Sequence, residues 1–181
     1  DLELWLQMVA HYMTLPPAQR HHQELFVNRI LFLKTVALLN TLSLDDLLLV
    51  DQMLNHQDFL AGEVIFHEGS YEDTLYIVYQ GQVRILKQLT QQHLALLKPG
   101  EYFGDMALLN DAPRSATAIA DTDCTLLTLG RNDFESLIAQ RPELLLHMCR
   151  VLSNRLREAD KRFETLKKAQ TTAHTTHSHN S

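Results

Sequence analysis

The chain has 181 residues, with 22 acidic and 16 basic side chains, a formal charge of −6 and 45% hydrophobic content. This length supports one ordinary core with additional helices rather than two full domains, and no apolar run reaches the 18 residues that a membrane span needs. Acids outnumber bases 18 to 8 over residues 1–140, whereas bases outnumber acids 8 to 4 over residues 141–181; an acidic body with a basic end is not a nucleic-acid footprint.

No charged, apolar and cleavable leader opens the chain. Cys124 and Cys149 stand far apart in apolar surroundings, the usage of reduced thiols in a cytoplasmic protein. The first residue is Asp1 rather than Met, so the sequence reads as a piece of a longer protein.

Leu4, Trp5, Met8, Val9 and Tyr12 form a helical stripe, stopped by Thr14-Leu15-Pro16-Pro17. A second helical stretch is predicted over about Gln23–Leu33. Ser43, with a carboxylate at Asp46, is a predicted N-cap for a helix ending near Leu54. The six glycines all fall between Gly62 and Gly130, and from Asp58 onward the period changes to short β-branched or aromatic runs. EVIFHE, TLYIVYQ, QVRILKQL, HLALL, RSATAIA and CTLLTL are separated by turn residues at Gly69–Asp73, Gln80-Gly81 and Lys98-Pro99-Gly100-Glu101. Many short strands at this spacing predict a closed or sandwiched β-roll.

Asn132-Asp133 is read as the cap of a short helix, and Pro142 as the first turn of a long one. Along that helix Leu145, Cys149, Leu152, Leu156, Ala159, Phe163 and Leu166 alternate at spacings of four and three, a heptad seam, while Leu144, Met148 and Val151 form a second stripe facing the roll. The Thr- and His-rich end is read as a disordered tail. The expected fold is therefore α+β, mainly β: a β-roll of about eight strands with N-terminal helices, a short helix near residue 105 and a long C-terminal helix. The expected divisions are 1–30, 31–140, 141–169 and 170–181.

The chemistry concentrates in residues 102–117, YFGDMALLNDAPRSAT. Gly104 permits a sharp turn into a short helix over Asp105–Leu109, whose unpaired N–H groups favour an anion. Pro113 ends that segment and aims Arg114 back toward it from the first residue of a strand; an arginine fork fits a phosphate, and Ser115 adds a hydroxyl. Asp105 makes sense beside such an anion only as an acceptor for another ligand group, such as a ribose hydroxyl. An alternative reading pairs Arg114 with an acid such as Asp105.

FGDMALLNDAPRSATA resembles the phosphate-binding cassette of the cyclic nucleotide-binding domain family, written F-G-E-(L/I)-A-L followed by P-R-(S/T/A)-A. The resemblance extends over about residues 25–160, through FLKTVALLNTLSLDDL, GEVIFHEGSYEDTLYIVYQGQVRI and LTLGRNDFESLI. It implies a regulatory domain with cAMP or cGMP as ligand, no cofactor and no catalysis. The implied ligand-binding residues are Phe103, Gly104, Asp105, Met106, Ala107, Arg114, Ser115 and Ala116, with Arg114 on the cyclic phosphate. Asp105 stands where the family has glutamate on the ribose 2′-hydroxyl, and its reach is shorter by the length of one bond, about 1.5 Å.

The resemblance also implies that the helix from Pro142 is a lid and, over 142–166, a homodimer seam, with an output domain upstream; packing of that seam against the N-terminal helices of the same chain is the other reading. Only thirteen residues follow Lys168, too few for a helix-turn-helix. Two other readings stand beside this one: a degenerate, ligand-free interaction module, and a cupin-type metal enzyme using His67 and His93. A metal enzyme of that kind needs several converging imidazoles and a carboxylate. The tail histidines His174, His177 and His179 offer only a floppy chelator, and His21-His22 reads as a solvated helix start.

Overall fold

The computed structural model describes residue 6 and residues 27–177, apart from 88, 91 and 111. The stripe from Leu4 to Tyr12 (Leu6 excepted, which is helical and exposed), its proline stop and the start of the second helix lie outside the described residues. The chain divides into two units, Asp1–Pro142 and Glu143–Ser181.

The first unit holds a helix through residues 27–35 (α1), then α2 (Leu44–Met53), β1 (Asn55–Phe59), β2 (Val64–Phe66), β3 (Thr74–Gln80) and β4 (Val83–Lys87). There follow β5 (Gln92–Leu97), β6 (Tyr102–Phe103), α3 (Asp105–Leu109), β7 (Thr117–Ala120), β8 (Cys124–Gly130) and α4 (Arg131–Gln140). Two four-stranded antiparallel sheets, ordered β1-β8-β3-β6 and β2-β7-β4-β5, make the expected mainly-β roll.

Between the sheets lie Ile65, Phe66, Tyr76, Val78, Val83, Phe103, Ala118, Ala120, Cys124 and Leu126, all buried. Side chains alternate across a strand, so Tyr76 and Val78 face this core while Leu75 and Ile77 face the other way, and those two are buried as well. The central β8 and β3 strands of this sheet are thus covered on both sides, which is why TLYIVYQ and CTLLTL read as nearly continuous apolar runs. Helix α4 packs on β8, and Phe32 of α1 meets the Tyr79 ring edge-on with centroids 4.8 Å apart.

Ser43 caps α2 as expected, its hydroxyl accepting from the Asp46 N–H at 3.2 Å. Arg29 ties α1 to α2 through a two-pronged ion pair with the buried Asp51. At the β3–β4 turn Gly81 has φ +80°, and a Cβ there would drive into the Asp123 carbonyl and Cys124; only glycine fits.

Four expectations are corrected. Strand β1, NHQDF, is polar with four of five residues exposed, so it carries no alternation to read; it is a strand because it pairs with β8. Arg114 is not the first residue of a strand, since β7 begins at Thr117. Helix α4 starts at Arg131 with Gly130 as its N-cap, one residue before the proposed Asn132-Asp133 cap.

The fourth concerns the second unit, a single helix, α5 (Glu143–His177). It continues beyond residue 169 into the segment read as tail; once a helix is nucleated, each further residue adds a hydrogen bond without a new nucleus. Seam residues Leu145, Leu156 and Phe163 are exposed. Leu126 is fully buried on β8, so Leu126→Ala should lower unfolding free energy by about 2–5 kcal/mol in denaturant titration.

Candidate functional site

The first unit brings Arg114 inside the protein. Its side chain is 2% exposed, and removing a charge from water costs several kcal/mol unless partners replace the solvent. The β2–β3 loop and the segment after α3 fix its backbone: Gly69 N–H donates to the Arg114 carbonyl at 2.9 Å and Arg114 N–H donates to Ser70 at 2.8 Å. This pairing turns the side chain toward β3 and β6.

The guanidinium lies over the Phe66 ring, with Cζ 4.1 Å from the centroid, and 5.6 Å from that of Tyr76. Tyr76 and Phe103 stack at 5.1 Å and both lean on Phe66 at 5.7 Å, so three strands build one aromatic bed. A desolvated cation over such a face gains about 2 kcal/mol. Nη1 donates to the Gly104 carbonyl at 3.2 Å and Nη2 to the Thr74 carbonyl at 2.7 Å. Nη2 also lies 3.9 Å from Glu72 Oε2. Among the described residues the buried Nε has no acceptor, a deficit worth about 1–3 kcal/mol.

Burial pushes the Arg114 pKa down, and the neighbouring Tyr76, Glu72 and Asp73 pull it back up; an arginine stays charged in such surroundings. The Tyr76 phenol is pushed up, chiefly by burial and then by the Glu72 charge. These groups form one coupled polar cluster beneath the α3 segment.

Gly104 makes the close approach geometrically feasible. It is the left-handed N-cap of α3, with φ +80°. A Cβ on it would sit 2.5 Å from Arg114 Nη1 and 2.8 Å from the Thr74 oxygen. Asp105, the first residue of α3, is buried, as are Phe103 and Ala116. Met106 points outward at 58% exposure, and Ser115 is exposed. Lys87 binds the Ser115 carbonyl and Glu68 with one ammonium. Phe103, Gly104 and Arg114 therefore come together, with α3 starting beside them. The acid shown beside Arg114 is Glu72, an ion pair of the kind that the alternative reading gave to an acid such as Asp105.

Phe66, Glu72, Thr74 and Tyr76 are site residues that sequence reasoning missed. The alternation of TLYIVYQ could have placed Tyr76 inward; nothing in the spacing marks Glu72. Among the described residues no group of three His, Cys, Asp or Glu is arranged to hold a metal. His67 and His93 are both exposed. A cleft of about 300 Å³ lined by Asp58, Phe59, Leu60, Gln80, Asp123, Cys124 and Thr125 involves none of the cassette.

Gly104→Ala should force Arg114 from its place and strain the backbone. About 1–3 kcal/mol of stability should be lost, read by thermal or denaturant unfolding.

Residues 56–141 match the family model of the cyclic nucleotide-binding domain. Over 108 residues the chain is 41% identical to the cyclic AMP receptor protein of Thermus thermophilus, covering 58% of this chain and 50% of that protein. Over 96 residues it is 38% identical to the cAMP-dependent protein kinase regulatory subunit of Hypocrea atroviridis, 53% of this chain and 20% of the relative. The crystal structure of the Thermus thermophilus catabolite activator protein superposes with a TM-score of 0.66 at 36% identity, over 72% of this chain and 63% of that one. The chain thus spans about half the length of the first relative and a fifth of the second. By its two-sheet roll, its cassette and this match, the segment 56–141 belongs to the cyclic nucleotide-binding domain family.

Proposed function

We propose that this chain is a ligand-sensing regulatory domain that binds a cyclic purine mononucleotide, cAMP in preference to cGMP. The observation that carries the reading is Arg114: a buried cation, oriented by an aromatic bed and two carbonyls, with Nε short of an acceptor among the described residues. A cyclic phosphate supplies the missing charge and acceptor oxygens together. Backbone N–H groups from Gly104 to Ala107 and the Ser115 hydroxyl assist, with Phe103, Met106 and Ala116 lining the cassette and Asp105 on the ribose. Both named relatives are, by name, cAMP-responsive proteins, which favours adenine.

The output is movement of the helices flanking the roll. A ligand shifts such an equilibrium only by binding one arrangement more tightly than the other. Helix α5 is the element assigned to that role, handing the signal to an output domain upstream. Its exposed Leu145, Leu156 and Phe163 form an apolar row suited to a second copy over 142–166. Two free cysteines fit a reducing, cytoplasmic setting. A second reading, a ligand-free interaction module, rests on Asp105 in place of glutamate.

Arg114→Ala should weaken cAMP binding roughly a hundredfold or more in calorimetry, since a buried phosphate would lose its charge partner. Unchanged affinity would remove the site. Asp105→Glu should tighten binding by about two- to tenfold if the shorter reach costs one hydrogen bond; weaker binding would show that the cassette is built around aspartate.

A further inference from the structure

The β2–β3 loop presents two adjacent carboxylates to the cassette, and they are differently engaged. Asp73 ion-pairs with Arg131, Oδ2 to Nε 3.9 Å. Glu72 turns to the site itself: Oε2 lies 3.9 Å from Arg114 Nη2. Its charge also acts on the Tyr76 phenol, which burial and then Glu72 push up. The Glu72 side chain is 39% exposed while Arg114 is 2% exposed. A partly solvated carboxylate therefore stands at the rim, within ion-pair distance of a buried cation.

We propose that Glu72 is an affinity-setting residue: its carboxylate competes with the ligand's phosphate for the Nη2 edge of Arg114. This rests on the cyclic nucleotide reading and adds a residue to it. A carboxylate and a phosphodiester are both anions with acceptor oxygens suited to a guanidinium fork. The two cannot share one Nη2 edge without like-charge repulsion, so binding requires Glu72 to swing into water. Because the group is partly exposed, that movement is cheap, and the competition lowers affinity without closing the site. The residue tunes the ligand concentration at which the domain responds, independently of Asp105 and of the base.

Calorimetric titration of cAMP into the wild-type chain, Glu72→Gln and Glu72→Asp tests this. Glu72→Gln should bind roughly two- to fivefold more tightly, the scale of a partly exposed ion pair. Glu72→Asp keeps the charge but withdraws it by about 1.5 Å, so direct competition requires it to shift in the same direction. Wild-type binding with unchanged or weaker affinity in Glu72→Gln would overturn the inference and leave the functional reading standing. Tightening in Glu72→Gln with wild-type affinity in Glu72→Asp would also overturn it, because a general field rather than contact would then be at work. Binding by Glu72→Gln alone would make the carboxylate a complete block and support the inference. No binding by any of the three would remove the cyclic nucleotide reading and the inference together.

Discussion

Everything at the site depends on one constraint: a guanidinium taken out of water must be given other partners. Arg114 has an aromatic face beneath it, carbonyl oxygens at two nitrogens and a rim carboxylate beside one of them. Each partner comes from a different part of the roll. Phe66 ends β2, Thr74 and Tyr76 open β3, and Phe103 and Gly104 join β6 to α3. The antiparallel register that places Tyr76 opposite Phe103 is therefore also the register that positions the cation. A slip of one residue would turn Tyr76 outward and remove the aromatic bed.

The same constraint explains why an acidic chain can hold an anion. The positive charge needed is local and fixed, and it is buried where solvent screens it little. The formal charge of −6 acts at longer range and is screened by salt. Within the cluster the acids are not idle: burial pushes the Arg114 pKa down, and after Tyr76 the charges of Glu72 and Asp73 pull it back up.

Much of the fold was legible because its signals are strong and local. TLYIVYQ was read with the bounds the structure shows for β3, Ser43 with its cap, and Gly104 with its turn into Asp105–Leu109. What escaped was non-local. Strand β1 is polar and owes its existence to pairing with β8, seventy residues onward in sequence, and two-residue β6 is too short to carry a period. The cation was found because arginine after proline in that cassette is distinctive. Its bed of Phe66, Tyr76 and Phe103 was not, because three separate aromatic residues carry no sign of meeting. Glu72 looked like any loop acid.

The central claim is that the buried Arg114 recognises a cyclic phosphate. Parallel calorimetric titrations of the wild-type chain with cAMP and with adenosine test it most directly, since the two share base and ribose and differ in the anion. Saturable one-site binding of cAMP with no measurable binding of adenosine is the expected result; equal binding of both, or of neither at millimolar concentration, would contradict it.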